Sequence, residues 1–181
     1  QRGHEFHAKR WPLPAGKPLT GSGSGRLPIQ EKGGSGPFTG TLKGPLAAAG
    51  SALGGVVATK ASNAVNVRVK AKRAALVMGA PKVHFTYKGT APAGSGRIVA
   101  QVVDDSTGLV LGNQPTPDKL RLDGKRHTGT LTLATVTATA RKGQRFTVQL
   151  TSQSALFELH PKGGSIRFTQ VKATLPTVKR P

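Results

Sequence analysis

Three groups of residues in this chain of 181 have types and spacings that could do chemistry: adjacent acids, scattered histidines and clustered bases. Asp104 and Asp105 stand side by side, close enough to suggest acid/base work or a shared cation. On a strand, though, neighbours point to opposite faces. Asp105 also opens Asp105-Ser106-Thr107-Gly108, a turn whose backbone an aspartate caps through an Asx-type hydrogen bond. The chain holds seven acids in all, too few to supply the remaining oxygen ligands of a calcium site. The pair therefore reads as turn formers. His4 and His7 flank Glu5 in HEFH, which is shorter than the zincin helix motif and lies at the chain start, where a solvated role is expected. His84, His127 and His160 are each isolated in sequence, which favours surface or turn roles over ligation or catalysis. No serine sits in a G-x-S-x-G elbow, the strand-to-helix turn that exposes a hydrolase nucleophile. No catalytic residue, metal site or cofactor is expected.

The bases are the stronger signal. Twenty-seven Lys and Arg give a formal net charge of +20, a field that attracts polyanions from a distance. They cluster at Arg68, Lys70, Lys72 and Arg73, at Lys119, Arg121, Lys125 and Arg126, and at Arg141, Lys142 and Arg145, whereas none lies between Arg97 and Lys119. The candidate anion-binding residues are Arg68, Lys70, Lys72, Arg73, Lys125, Arg126, Arg141, Lys142 and Arg145, and they define a face if the clusters converge. Nucleic acid, anionic cell-wall polymer, lipid headgroups and an acidic companion domain would all feel the same field. Aromatic residues make up only 4% of the chain, and Phe85, Tyr87 and Phe146 fall at expected core positions. That leaves little to stack on bases or sugars, so salt-sensitive adhesion is favoured over base recognition.

The elements that must carry these residues are strands. Twenty-four Gly and 13 Pro favour strands joined by turns over a helical bundle. Val65, Val67 and Val69 alternate with Asn66, Arg68 and Lys70, a half-buried strand with a cationic outer side. Val83, Phe85 and Tyr87 repeat the rule against His84, Thr86 and Lys88, and Phe146, Val148 and Leu150 do so within a strand over 145–151. Ile98, Ala100 and Val102 face one side while Val99, Gln101 and Val103 face the other, before the turn at 105–108 returns the chain through Leu109-Val110-Leu111. Asp118 to Leu122 is expected to enter an Asp123-Gly124 hairpin turn and leave through His127 to Leu133. A further strand is expected over 129–137. Ile166 and Phe168 share one parity and Val171, Ala173 and Leu175 the other, which places a bulge near Thr169-Gln170.

Residues 1–60 differ. The runs Gly21-Ser22-Gly23-Ser24-Gly25 and Gly33-Gly34-Ser35-Gly36 read as a linker or surface arm, since they bury little and lose much entropy when ordered. Phe6, Trp11, Leu13, Leu19, Leu27 and Ile29 are spaced as anchors docking that arm on a body. Residues 46–53 could form a short helix or stay irregular. The expected organisation is an extended arm over 1–60 and an antiparallel β-sandwich over 61–181, an all-β fold.

The string VDDSTGLVLGNQPTP (103–117), followed by LDGKRHT (122–128), resembles the C-terminal β domain of X-prolyl dipeptidyl-peptidase and cocaine-esterase-like serine hydrolases. The similarity extends to GAPKVHFTYKGT (79–90), ARKGQRFTVQL (140–150) and SIRF (165–168), roughly the last two thirds of the chain. A comparable WPLP-like segment and glycine-rich stretch precede that domain in the family. The resemblance implies a jelly-roll sandwich of galactose-binding-like type, packed against an α/β-hydrolase catalytic domain. It implies a noncatalytic accessory role shaping substrate access or assembly, in an exported or envelope-associated protein. Carbohydrate binding and polymer adhesion are the rival roles.

The zero cysteine count removes disulfides and thiolate sites and is compatible with either redox compartment. No stretch reaches the roughly 20 apolar residues of a membrane-spanning helix. The start at Gln1, with no Met and no signal-peptide pattern, reads as a processed end or an engineered boundary.

Overall fold

Alternating apolar residues dominate the chain, and in the computed structural model they form ten strands and one short 3-10 turn, with no α-helix among the described residues. The described residues are 12–36, 57–157 and 163–179. Phe6, Trp11, the HEFH segment, residues 46–53 and His160 lie outside them. The strands are β1 (Leu19–Pro28), β2 (Ala64–Lys70), β3 (Ala75–Gly79), β4 (Lys82–Asp104), β5 (Leu109–Val110), β6 (Thr116–Thr132), β7 (Val136–Ala140), β8 (Arg145–Thr151), β9 (Ser165–Leu175) and β10 (Thr177–Val178). Every pairing between them is antiparallel.

Two long strands make the architecture. The first part of β4 lies between β9 and the end of β6, while its last part lies between β8 and the start of β6. Between them Ala91 to Gly94 bulge out, since Thr90 pairs with Asp123 and Ser95 with Arg121. The hydrogen-bonded sheet thereby folds into two halves, β1-β9-β4-β6 and β6-β4-β8-β2, whose inner residues form one core. Phe85, Phe168 and Ile166 of the first half meet Ile98, Phe146 and Leu150 of the second, all essentially inaccessible to water. Phe85 packs edge-on to Phe168, ring centroids 5.6 Å apart, the geometry that aromatic quadrupoles favour. A separate three-stranded sheet, β10-β3-β7, adds Val77, Val136, Ala138 and Ala140 to the same core.

The alternation read at 65–69, 83–87 and 146–150 holds, and so does the bulge in β9. Thr86 pairs with Gln170 but Tyr87 with Phe168, so Thr169 is the extra residue that lets both Phe168 and Val171 face the core. Three expectations fail for physical reasons. Asp123-Gly124 is no hairpin turn. A type I′ turn needs positive φ at both residues, whereas only Gly124 has it (φ 78°), and β6 runs through the dipeptide as a bulge. The strand expected over 129–137 ends at Thr132 and resumes at Val136 in the other sheet.

The third failure is the glycine-serine run. Gly21 to Gly25 is not linker but the middle of β1, paired with β9 from Leu19–Leu175 to Pro28–Ser165. Its serines face outward and its glycines face β2. A Cβ at Gly23 would sit 3.0 Å from the Asn66 carbonyl oxygen, and one at Gly25 would sit 3.1 Å from Val65 Cγ2. Glycine is there because the backbones of the two halves approach too closely for a side chain. Leu19, Leu27 and Ile29 anchor the strand in the core.

The outer side of the second half is buried too, beneath residues 57–61. Val103, Val110 and Ala58 form a small second apolar cluster there. Beside it, Gln149 Oε1 accepts from Ala61 N–H (2.8 Å) and from Gln101 Nε2 (2.9 Å). Its Nε2 donates to the Ala61 carbonyl (2.9 Å) and to Asn66 Oδ1 (2.7 Å). One amide thus satisfies a backbone donor and acceptor that burial would otherwise orphan.

Candidate anion-binding surfaces

The cations of β2 arise from strand alternation, because the residues between the core valines must face water. Lys70 pairs with Arg145 at the end of the β2–β8 ladder. Beyond it the chain stays tied: Ala71 N–H donates to the Gln144 carbonyl (2.9 Å) and Gly143 N–H to the Ala71 carbonyl (2.8 Å). The tight β7–β8 turn that this requires has Gly143 at φ 88° and is closed by Gln144 Oε1 accepting from Arg141 N–H (3.0 Å). Arg68, Lys70, Lys72 and Arg73 are therefore brought beside Arg141, Lys142 and Arg145, and all seven are exposed. Two of the three predicted clusters converge.

Acids border this end. Asp104 Oδ2 accepts from Gln144 Nε2 (3.2 Å), and Asp105 accepts from Thr147 Oγ1 (2.8 Å) and forms an ion pair with Lys60 (3.1 Å). The roles of the two aspartates are shifted by one residue from expectation. Asp104, not Asp105, makes the Asx-type contact, its Oδ1 accepting from Ser106 N–H (2.9 Å) and Ser106 Oγ (2.7 Å). Asp104 ends β4 opposite Leu109, so its side chain is the one aimed over the turn. Both carboxylates are engaged by protein donors.

The third cluster does not join the other two. Lys119 faces Arg97 across β6 and β4, and Arg121 reaches Asp123 only at 3.9 Å. After the Gly124 bulge, Arg126 lies on the outer face of the first half, opposite Lys88. Lys88 is in turn opposite Arg167 of β9, and Arg167 is opposite Arg26 of β1. Four exposed cations thus stand in register on four neighbouring strands, a spacing of about 4.8 Å per strand. Lys82 of β4 and Lys172 of β9 project from the same face. Sequence reading missed Arg26, Lys82, Lys88, Arg167 and Lys172 as a group because only strand register brings them together. Their outward parity was the available signal.

Two histidines border this half. His84 Nδ1 lies 2.8 Å from Thr130 Oγ1 on the outer face. His127 points inward, stacks near Tyr87 (ring centroids 5.5 Å) and places Nε2 2.8 Å from Asp123 Oδ1. That hydrogen bond, with a second from Lys125 N–H, holds the Asp123 carboxyl below its ordinary value of 3.8. Burial pushes the Tyr87 hydroxyl above 10.0. No group of three or more potential metal ligands occurs among the described residues.

Among solved structures, the chain is similar to an α-amino acid ester hydrolase, with a TM-score of 0.58 and 14% identity over 86% of the chain. A CocE/NonD family hydrolase from Staphylococcus aureus gives 0.54 and 9% over 95%. An aminopeptidase from a marine sediment Thaumarchaeota archaeon gives 0.54 and 12% over 93%. The fold is one these hydrolases contain. The chain spans only about a third of their length, at 32%, 38% and 34%. No family model matches the chain, and no curated protein matches it. The resemblance read in VDDSTGLVLGNQPTP therefore agrees with the fold, an antiparallel β-sandwich found within CocE/NonD-type hydrolases.

Proposed function

We propose that this chain is a noncatalytic accessory β-sandwich of a serine hydrolase of the X-prolyl dipeptidyl-peptidase or cocaine-esterase type. In this reading it packs on an α/β-hydrolase catalytic domain and shapes substrate access or assembly. The observation that carries it is the fold likeness over 86–95% of the chain to about a third of each hydrolase. The side chains support it, since His84, His127, Asp104 and Asp105 are all held by turn or face contacts. Of the segment before residue 61, the described strand β1 joins the 61–181 body as an inserted strand. The setting is exported or envelope-associated, as the family resemblance implies.

The test mixes the purified chain with a CocE/NonD-type catalytic domain whose own β domain has been removed. A stable complex by size-exclusion chromatography and recovered hydrolysis of an X-Pro anilide or aryl ester are expected, with no turnover by the chain alone. Turnover by the isolated chain, or no complex at micromolar concentrations, refutes the reading.

A further inference from the structure

We propose that the outer face of the β1-β9-β4-β6 half is a binding surface for a linear polyol phosphate chain, held through its phosphates. The proposal does not depend on a catalytic domain docking elsewhere.

Three observations carry it. Six cations, Arg26, Lys82, Lys88, Arg126, Arg167 and Lys172, project from this face, and all are exposed. No Asp or Glu occurs in Leu19–Pro28, Ser165–Leu175, 82–90 or 126–132, the segments that build it. None of the six is in an ion pair among the described residues, and the polar contact made by one of them, Arg26 Nη2 to Ser165 Oγ, is to a neutral hydroxyl. Like charges directly opposite one another across strands destabilise a sheet. The row Arg26-Arg167-Lys88-Arg126 places four such charges side by side with no counter-charge among the described residues. A ligand carrying evenly spaced anions supplies that missing charge, and the guanidinium groups can grip each phosphate in bidentate fashion.

The same face selects the kind of polyanion. The neighbouring rings Phe85, Tyr87 and Phe168 all turn into the core, so the one described ring on this face is the His84 imidazole, which is tied to Thr130 Oγ1, and no Phe, Tyr or Trp platform is offered to nucleic-acid bases among the described residues. Hydroxyls stand among the cations instead: Thr86, Thr128 and Ser24 lie between the two cationic rows, and Ser22 and Thr130 share the row of Lys172. Hydroxyls both donate and accept, which suits the alcohol and ether oxygens between phosphates of a polyol phosphate. The end cluster around Lys70 and Arg145 is not acid-free in the same way, because Asp104 and Asp105 border it.

The experiment measures binding of synthetic poly(glycerol phosphate) by fluorescence anisotropy to the whole chain and to two triple variants. One removes Lys88→Gln, Arg126→Gln and Arg167→Gln; the other removes the same charge elsewhere through Lys72→Gln, Arg73→Gln and Lys142→Gln. Counterion release for a flexible polyanion gives each phosphate contact about fourfold between 1 M and 0.15 M salt, so losing three costs roughly 50-fold. The first variant is expected to lose that factor, with the salt slope falling by about 2, and the second only a few-fold. Circular dichroism melts of both variants check that the fold is retained. Equal losses in the two variants, or no loss in the first, overturn the proposal. Tighter binding of oligothymidylate than of poly(glycerol phosphate) by the unmodified chain overturns the choice of occupant.

Discussion

Replacing Gly21 by alanine separates the two things that its segment could be. If Gly21-Ser22-Gly23-Ser24-Gly25 were a free linker, the substitution would stabilise the protein by about 0.4–1 kcal/mol, because alanine restricts the unfolded chain. In the structure, a Cβ at Gly21 falls well inside van der Waals distance of the Arg68 carbonyl, a backbone atom of β2 that cannot rotate away. Forcing the two halves apart costs about 1–3 kcal/mol, and subtracting the entropic gain from the middle of that range leaves a net loss of roughly 1–2 kcal/mol. The sign of the effect is therefore diagnostic. Gly25→Ala gives the graded comparison, since its Cβ would meet a valine methyl at 3.1 Å that can yield, and its cost should be smaller. Ser24→Ala, on the exposed side of the same strand, should stay within about 0.5 kcal/mol. Urea unfolding reports all three through shifts of midpoint at constant slope. In a thermal melt Gly21→Ala should lower Tm by about 2–8 °C, using about 2–4 °C per kcal/mol for a chain of this size. A Gly21→Ala protein as stable as the parent, or more stable, would refute the packing of β1 on β2.

Other outcomes follow from the polar contacts. Gln149→Leu leaves the Ala61 N–H and carbonyl without their partner, and at about 1–3 kcal/mol per buried orphan it should cost about 2–6 kcal/mol in urea unfolding. Asp104→Ala removes the acceptor of two Ser106 bonds at an exposed turn and should cost about 1 kcal/mol, with hydrogen exchange of the Ser106 amide accelerated. Asp123 binds its proton less readily folded than unfolded, so the unfolded chain takes up more protons as pH falls. Its stabilisation is present above the unfolded value of about 3.9 and is lost as pH drops through the lower folded value. Melts between pH 6 and pH 2 should therefore show an acid decline that is shallower in Asp123→Asn, and an identical slope in that variant would contradict the His127–Asp123 bond.

What could be read in the sequence depended on whether the information was local. Parity placed Val65, Phe85, Phe146 and their neighbours on the inner faces, because alternation needs only a strand and a core. It even located the bulge at Thr169, since the inward residues change parity there. Turn chemistry was half legible. Asp123-Gly124 announces one residue with positive φ, and both a hairpin and a bulge satisfy that; the length of the pairing between β4 and β6 decides for the bulge. The glycine-serine run misled for a deeper reason. Composition reports what a segment does not bury with side chains, but β1 earns its place through backbone pairing and through the absence of side chains opposite β2.

The cations expose the same limit at the surface. Arg68 to Arg73 and Arg141 to Arg145 are clusters in sequence, and the β2–β8 ladder makes them one cluster in space. Yet that end is bordered by Asp104 and Asp105, so its field is partly answered within the protein. Arg26, Lys88 and Arg167 are single bases in alternating strands and Arg126 belongs to the Lys119–Arg126 cluster, with up to 141 positions separating them, between Arg26 and Arg167. Register alone sets them in a row, and it does so on a face whose strand segments carry no acid. A sheet under selection for stability alone gains by interspersing charges of opposite sign across its strands. Keeping them alike therefore trades stability for an outward field, a sacrifice that makes physical sense where an anionic surface lies opposite.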